Sequence, residues 1–489
     1  MLEPFLGHSV GGRFQAFDGV PFSSQNPHTL EPVCEASASV AAVGAAVAAA
    51  QAALPAWRRL PVEARIEALR GLVRALPDHV ERLAEAITAE MGKPRGEALI
   101  EARGVGAKLD DTVALLPHEL APAHPRAPGQ QRHRPLGVVA VVGPFNFPVH
   151  LINTHLLPAL LAGNTVVAKA SEVTPLTGQR YAELFHAAGL PPGVFNLVQG
   201  GGPVGEALVT HPDVRGVVFT GSYATARRIR QALFDHPEKK LALELGGKNA
   251  AVVLDDAALD HTVREILLGA LLTTGQRCTA TSRVICSPGV AGPLTERLVE
   301  AFSKIRPADP RLDSTFLGPL ATQASVRNFF AGLAEAREQG AEVLVESEAL
   351  GACRVTPSLY RVQGNERLVN HELFGPNVAL EVARDEDDAI TRASHSPYGL
   401  SGAIFTERAE RFEDFADRVD VGVINWNRST NGASGLLPFG GLGMSGNHHP
   451  GGSGSLRIGT FPVAVMSVPS TARTPNAALD VALAGASGG

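Results

Sequence analysis

Leu136-Gly137-Val138-Val139-Ala140-Val141-Val142-Gly143-Pro144-Phe145-Asn146-Phe147-Pro148 carries five consecutive apolar residues closed by glycine and proline. A run this short, apolar at every position and rich in β-branched side chains, reads as a strand buried on both faces, as in parallel sheets. Thr165-Val166-Val167-Ala168-Lys169 repeats the signature, and further runs lie at 194–198, 214–220 and 250–254. Helix-length segments such as 175–188 and 224–234 separate them. Alternating strand and helix predict a doubly wound α/β sheet. A second α/β unit starts near Ala257, passes through Cys278, Val284-Ile285, Glu342-Val343-Leu344 and Val378-Ala379-Leu380, and ends near Val423.

Upstream, the Ala-rich run from Ser37 to Ala53 and the segment from Val62 to Met91 have helical spacing, with Ile66, Leu69, Leu72, Val73 and Leu76 on one face. The first hundred residues are therefore expected to be largely helical. Asp78, after Pro77, is expected to cap a second helix that Gly92-Lys93-Pro94 stops. The Pro-, Gln-, Arg- and His-rich stretch 124–134 reads as an exposed hairpin or arm, or equally as a plain linker. Residues 472–489 have little to bury, so a poorly ordered tail is expected there.

A chain of 489 residues exceeds what one core supports, and a prior of roughly 150 residues per domain gives two or three domains. With 45% hydrophobic and 19% charged residues, the composition is that of an ordinary soluble enzyme. A net charge of -6 without a Lys/Arg block argues against nucleic acid, which needs a clustered positive field. The cysteines at 34, 278, 286 and 353 lack metal-ligand spacing and are too few for a disulfide framework. They read as reduced thiols in a cytoplasmic compartment. No basic patch precedes an apolar core at the N-terminus, and apolar stretches are interrupted before ~18–20 residues, so neither export nor membrane insertion is expected.

Several residues stand out chemically. Cys278 lies in Gly275-Gln276-Arg277-Cys278-Thr279, beside a cation at a glycine-led turn, where a thiolate is favoured. Read alone, it is also a small buried hydrophobe, the reading adopted for Cys34, Cys286 and Cys353. Glu244 ends an apolar strand-like run in Leu241-Ala242-Leu243-Glu244-Leu245-Gly246-Gly247-Lys248-Asn249. A carboxylate there is costly to bury unless paired or used, as a general base for instance. Asn146 follows the strand ending at Val142, at the sheet edge where such folds place ligands, and its amide can donate to an oxyanion or simply stabilise a turn.

Gly200, Gly202 and Gly205 form a G-x-G-x-x-G, but Phe219-Thr220-Gly221-Ser222, after a strand and opening a helix, is the preferred diphosphate site. Lys169-Ala170-Ser171-Glu172 offers a cation and a carboxylate for ribose hydroxyls. Glu172 would repel a 2′-phosphate, which favours NAD over NADP.

Taken in order, PFNFP (144–148), KASE (169–172), FTGS (219–222), LELGGKN (243–249), GQRC (275–278), HELFGP (371–376) and PFGG (438–441) resemble the aldehyde dehydrogenase superfamily over roughly residues 35–465. Narrower signatures resemble its N-succinylglutamate 5-semialdehyde dehydrogenases of arginine breakdown. These are His150-Leu151-Ile152-Asn153-Thr154-His155, Pro237-Glu238-Lys239, Gln276-Arg277-Cys278-Thr279, Asn425-Trp426-Asn427 and Ser445-Gly446-Asn447-His448.

The resemblance implies Cys278 as nucleophile, Glu244 as general base, and Asn146 with the Cys278 amide as oxyanion donors. It implies NAD held by Lys169, Ser171 and Glu172 at the adenosine ribose, by Gly221, Ser222 and Ala226 at the diphosphate, and by Glu372 and Phe374 at the nicotinamide end. Asn431-Gly432-Ala433-Ser434-Gly435 resembles a carboxylate anchor, with Gly432, Ala433 and Ser434 gripping an anionic group and Arg277 and Thr279 flanking the nucleophile. Without the resemblance that loop reads as merely flexible.

Three departures stand out: Ala170 replaces a usual Pro, Ala226 a usual Gly, and Lys248 an Asn common in the nearest subfamily. The Ala226 change is expected to bear on the diphosphate, the others not on mechanism.

The implied fold is two doubly wound Rossmann-like domains plus a small oligomerisation arm. Residues 1–123 and 138–245 form the NAD-binding domain, 246–430 the catalytic domain, 124–137 and 460–470 the arm, and 471–489 the tail. A homodimer or homotetramer is expected, acting on a small aldehyde that carries a carboxylate, with no nucleic acid or membrane partner. N-succinyl-L-glutamate 5-semialdehyde is the first candidate substrate. Glutamate 5-semialdehyde or another small aldehyde is the second, and a catalytically silent relative is the third reading.

Overall fold

The computed structural model of the chain describes residues 4–120, 129–468 and 475–485. Its first sheet is ordered Lys240–Glu244, Val214–Thr220, Val138–Val142, Thr165–Lys169, Phe195–Val198, His8–Val10 and Arg13–Gln15. The first five are parallel and the last two antiparallel. Every residue of Val138–Val142 is buried. Val139 and Val141 pack into one core cluster, while Val138, Ala140 and Val142 pack into another on the opposite face. Alternate side chains thus feed two cores, which is why this strand reads as uniformly apolar.

The second sheet runs Glu342–Val345, Ser358–Arg361, Asn377–Val382, Thr281–Cys286, Asn249–Val253, Ser401–Phe405 and Val423–Trp426, parallel except at the first pair. It too is covered on both faces, with Ala251 and Val253 in one cluster and Ala250 and Val252 in the other. Val423–Trp426 is its edge strand.

Register fixes where the two sheets meet. Val142 pairs with Lys169 and with Phe219, and Glu244 pairs with Thr220. The carboxyl ends of the first sheet therefore lie on one edge, and its switch point, where connections diverge from Val138–Val142, opens there. Only Leu245, Gly246, Gly247 and Lys248 separate Glu244, the end of the first sheet, from Asn249, the start of the second. That short link sets the amino ends of the second sheet against the carboxyl ends of the first.

The N-terminal region corrects the expectation of mostly helix. Strands His8–Val10, Arg13–Gln15, Val20–Gln25 and Pro32–Ala38 precede the helix Val40–Arg59. Gly11 and Gly12, at φ 61° and 82°, make the tight turn joining the first two. Asp78 is not a cap: it belongs to the short turn Leu76–Asp78, and His79 precedes the helix Val80–Met91 without a side-chain cap bond. Gly92, at φ 75°, does end that helix.

Among the described residues, Val40–Arg59 is the one helix long and apolar enough to cross a membrane. Its face of Ala42, Val43, Ala46, Val47 and Ala50 packs with Val138 and Val167 in a core cluster, as a helix covering a sheet does. Gln130–Pro135 pairs antiparallel with Thr460–Val465, the late strand expected to join the arm; the arm's residues 124–128 lie outside the described residues. Within the presumed tail, Ala477–Gly485 is helical, started by Asn476, whose side chain accepts from the Leu479 amide at 3.0 Å. Residues 471–474 and 486–489 lie outside the described residues.

Leu157, fully buried on the helix His150–Leu161, tests this packing. Leu157→Ala is expected to cost about 2–5 kcal/mol in urea unfolding. A loss below about 1 kcal/mol, the range of surface changes, would contradict the two-sided core.

Candidate active site

A cavity of about 1050 Å³ lies along the junction of the two sheets. At one end it is lined by Lys169, Ser171 and Glu172, in the middle by Gly221 and Ser222, and at the other end by Asn146, Glu244, Cys278, Glu372 and Phe374. Residues from four strand ends of the first sheet and two loops of the second thus share one cleft.

The loop carrying Cys278 is bent into an unusual backbone. Thr273 and Thr274 have φ of 55° and 57°, a region β-branched residues avoid, and Gly275 follows at 69°. Such residues cost about 1–3 kcal/mol each and persist only where neighbours over-determine them. Glu97 does so: it accepts from the Thr273 amide at 3.0 Å, from Thr273 Oγ1 at 2.7 Å and from Arg277 Nη2 at 2.6 Å. The Ala321 amide donates to Gln276 Oε1 at 3.0 Å, and Asn146 Nδ2 donates to the Gln276 carbonyl at 2.9 Å. Asn249 Nδ2 donates to the carbonyls of Cys278 and Ala280, both at 2.9 Å.

Electrostatics reverse one sequence expectation. Burial, and then the carboxylates of Glu372 and Glu244, push the Cys278 thiol up to about 12, against backbone amides at Thr279 and Cys278 that favour the thiolate. Arg277 supplies no relief, because its guanidinium turns away to Glu97 and to Thr273 Oγ1 and stacks 5.1 Å from the Phe147 ring centre. Proximity in sequence to a cation is not proximity of its charge. Thr279 is likewise committed, donating to Asn431 Oδ1 at 2.9 Å. Ala433 and Ser434 are exposed, and Ser434 Oγ accepts from the Leu436 amide at 3.2 Å.

At the other end of the cleft Lys169 Nζ donates to the Ala170 carbonyl at 3.0 Å and approaches Glu172 Oε2 at 3.4 Å, leaving Glu172 half exposed over the cavity. Ser222 caps the helix Tyr223–Ala232, accepting from the Thr225 amide at 3.3 Å. Ala226 is buried in the core with Phe219 and Ile229 instead of lining the cleft, so its methyl group takes no space there. Of the glycines passed over in favour of Gly221 and Ser222, Gly202 and Gly205 line the cavity and Gly200 does not; Gly201 lines it too, and Gly201 and Gly202 have open space beside them.

Glu372 accepts from the Gly247 amide at 3.1 Å, and burial raises its carboxyl to about 7. Lys248, set aside as a neutral departure, is buried near it, with burial and then Arg283 lowering its amine to about 7. A methyl group on Gly246 would stand 2.3 Å from Glu372 Oε2, so the Gly-Gly pair is what lets this carboxylate into the cleft.

The narrower signatures hold the site up. Asn447 accepts from the Leu243 amide and donates to the Leu241 carbonyl, both at 2.8 Å, and Ser445 Oγ donates to the Gly246 carbonyl at 2.7 Å. Together they pin the strand that ends in Glu244. His155, which the sequence reading left without a role, lies against Glu244, with Nε2 3.3 Å from Oε1. Its signal was present as the polar Asn153, Thr154 and His155 within an otherwise apolar helix, all buried.

The raised thiol sets a pH expectation for the cofactor-free protein. Since the neutral thiol is the stable form, alkylation of Cys278 by iodoacetamide should rise about tenfold per pH unit from roughly pH 7 to 10 with no plateau. A plateau below about pH 9 would show a thiolate that this geometry does not support.

The aldehyde dehydrogenase family profile matches residues 15–460. The chain is 37% identical to an N-succinylglutamate 5-semialdehyde dehydrogenase from Serratia proteamaculans, over 90% of this chain and 92% of that one. It is 39% identical to one from Burkholderia mallei, over 93% and 95%. Its fold superposes with a TM-score of 0.90, at 29% identity, on a variant of aldehyde dehydrogenase C from Pseudomonas syringae in complex with NAD+ and octanal, covering 96% of this chain and 98% of that one. With sulfur, carboxylate and amide on one cleft and this extent of match, the chain belongs to the aldehyde dehydrogenase family.

Proposed function

We propose that the chain oxidises N-succinyl-L-glutamate 5-semialdehyde, with water, to N-succinyl-L-glutamate, using NAD. The observation that carries the reading is the single cavity lined at one end by Cys278, Glu244 and Asn146 and at the other by Lys169, Ser171 and Glu172. The relatives that match over nine tenths of the chain and bear that substrate in their names support the choice of aldehyde.

The cleft fits a dinucleotide. It encloses about 1050 Å³, it is lined at the amino end of the helix Tyr223–Ala232, whose first amides suit a diphosphate, and it holds the Glu172 carboxylate, suited to ribose hydroxyls. Lys169, Ser171 and Glu172 would hold the adenosine ribose, Gly221 and Ser222 the diphosphate, and Glu372 and Phe374 the nicotinamide end. Bound NAD+ supplies the hydride acceptor.

Cys278 sulfur attacks the aldehyde carbon as the thiol S–H bond breaks and its proton leaves to solvent water, and a thiohemiacetal forms. One Asn146 amide hydrogen is spent on Gln276; the other, with the Cys278 amide, holds the oxyanion. Loss of hydride leaves a thioester on Cys278. Glu244 then activates water, which separates a hydrolytic enzyme from one passing its acyl group to another thiol.

The substrate carboxylate is assigned to the Gly432, Ala433 and Ser434 loop, while Arg277 and Thr279 act by holding the nucleophile loop in place. The strand pair Gln130–Pro135 and Thr460–Val465 exposes Phe461, and with Met466 and Val468 beyond it suits association into a homodimer or homotetramer.

Cys278→Ser is expected to reduce turnover by about a thousandfold or more, read as NADH formation. In Glu244→Gln the first turnover of NADH should persist while later turnovers slow by about a hundredfold or more. An unchanged steady rate in either variant would end the assignment. On a panel of semialdehydes, the N-succinylated compound should exceed glutamate 5-semialdehyde in kcat/KM by more than about tenfold, the worth of one contact. Equal values would defeat the narrow substrate. Glu172→Gln should improve NADP relative to NAD, and no change would remove Glu172 from cofactor choice.

A further inference from the structure

Behind Glu244 lies a second buried group that the chemistry above does not use. His155 Nε2 stands 3.3 Å from Glu244 Oε1, with the two side chains 2% and 4% exposed. Both carboxylate oxygens and both ring nitrogens lack a hydrogen-bond partner among the described residues. Polar atoms left so are costly, so this contact does not stabilise the fold.

Gly451 makes the approach possible. A methyl group there would stand 2.1 Å from Glu244 Oε1 and 2.9 Å from His155 Cε1. Gly451 is held by the short ladder in which Phe439 pairs with it and Pro438 pairs with Gly452. The Pro438-Phe439-Gly440-Gly441 motif therefore brings bare backbone against the carboxylate and imidazole. Three other ionisable groups face the pair. Lys108, from the helix Arg95–Glu119, reaches the Gly452 carbonyl at 3.4 Å and senses Glu244; His150 and Cys278 sense Glu244 as well.

Resting on the reading of Glu244 as the hydrolytic base, we propose that His155 is a positioning residue that takes the proton from Glu244 during thioester hydrolysis. As the water oxygen bonds to the thioester carbon, one water O–H bond breaks and its proton moves to Glu244. That proton passes to the lone pair of His155 Nε2, leaving a carboxylate beside an imidazolium. When the C–S bond breaks, the imidazolium returns the proton through Glu244 to the departing sulfur. Thioester and water become acid and thiol, with no other reactant. Imidazole suits the task because one ring nitrogen of its neutral form carries a lone pair that can take a proton.

The test uses the full chain with NAD and the semialdehyde. In His155→Gln, which keeps a polar side chain but cannot accept the proton, the first-turnover NADH burst should stay within about twofold of the parent. The steady rate should fall about tenfold to a hundredfold, and the shape of its pH profile should change. Added imidazole should restore at least about fivefold of the steady rate in His155→Ala, in proportion to its neutral form.

A parental steady rate and pH profile in His155→Gln would overturn the proposal. So would loss of the burst together with turnover, or absence of imidazole rescue in a His155→Ala variant whose burst is intact. The underlying reading is tested apart: if Glu244→Gln keeps its steady rate, the base assignment fails, whereas if Glu244→Gln is slow and His155→Gln is not, only the role of His155 fails.

Discussion

The side chain of Asn249 is the tie on which the site depends. Its amide donates to the carbonyls of Cys278 and Ala280, and its oxygen accepts from the Ser401 amide at 3.1 Å. Both donors and the acceptor are used, so the side chain has one orientation. Asn249 also begins the second sheet, a few residues after Glu244 ends the first. The nucleophile loop is thereby bonded to the same stretch of backbone that delivers the carboxylate. A methyl group on Gly247 would stand 2.5 Å from the Cys278 carbonyl, so the link is glycine where the two chains touch.

Around that tie the protein accepts costs that make sense only for chemistry. Two threonines sit in left-handed backbone, a thiol is held at about 12, and the side-chain polar atoms of Glu244 and His155 have no hydrogen-bond partner among the described residues. The scaffold beneath is conventional by contrast, with two sheets buried on both faces and helices covering them. Left-handed backbone at non-glycine residues falls outside the strands.

Legibility in the sequence follows the same division. Val138–Val142, Thr165–Lys169 and Val214–Thr220 were readable to the residue, because burial on both faces writes itself as a short apolar run, in the last strand interrupted by the exposed Arg215. The N-terminal strands were not, since they form edges and short ribbons with mixed burial; Gly11-Gly12 was the one signal for them. Within the site, Cys278, Glu244 and Asn146 were findable as polar residues breaking apolar patterns or following strands. Where a side chain points was not findable. Arg277 turned to Glu97, Ala226 faced the core, and Lys248 came to lie near Glu372, all decided by tertiary packing that local pattern does not carry.

The central claim is that Cys278 takes the acyl group while Glu244 releases it. Mass spectrometry of Glu244→Gln, quenched during turnover with NAD and the semialdehyde, examines this most directly. One added acyl group is expected, located on the peptide that contains Cys278. An adduct on Cys34, Cys286 or Cys353 alone, or no adduct while NADH accumulates, would contradict it.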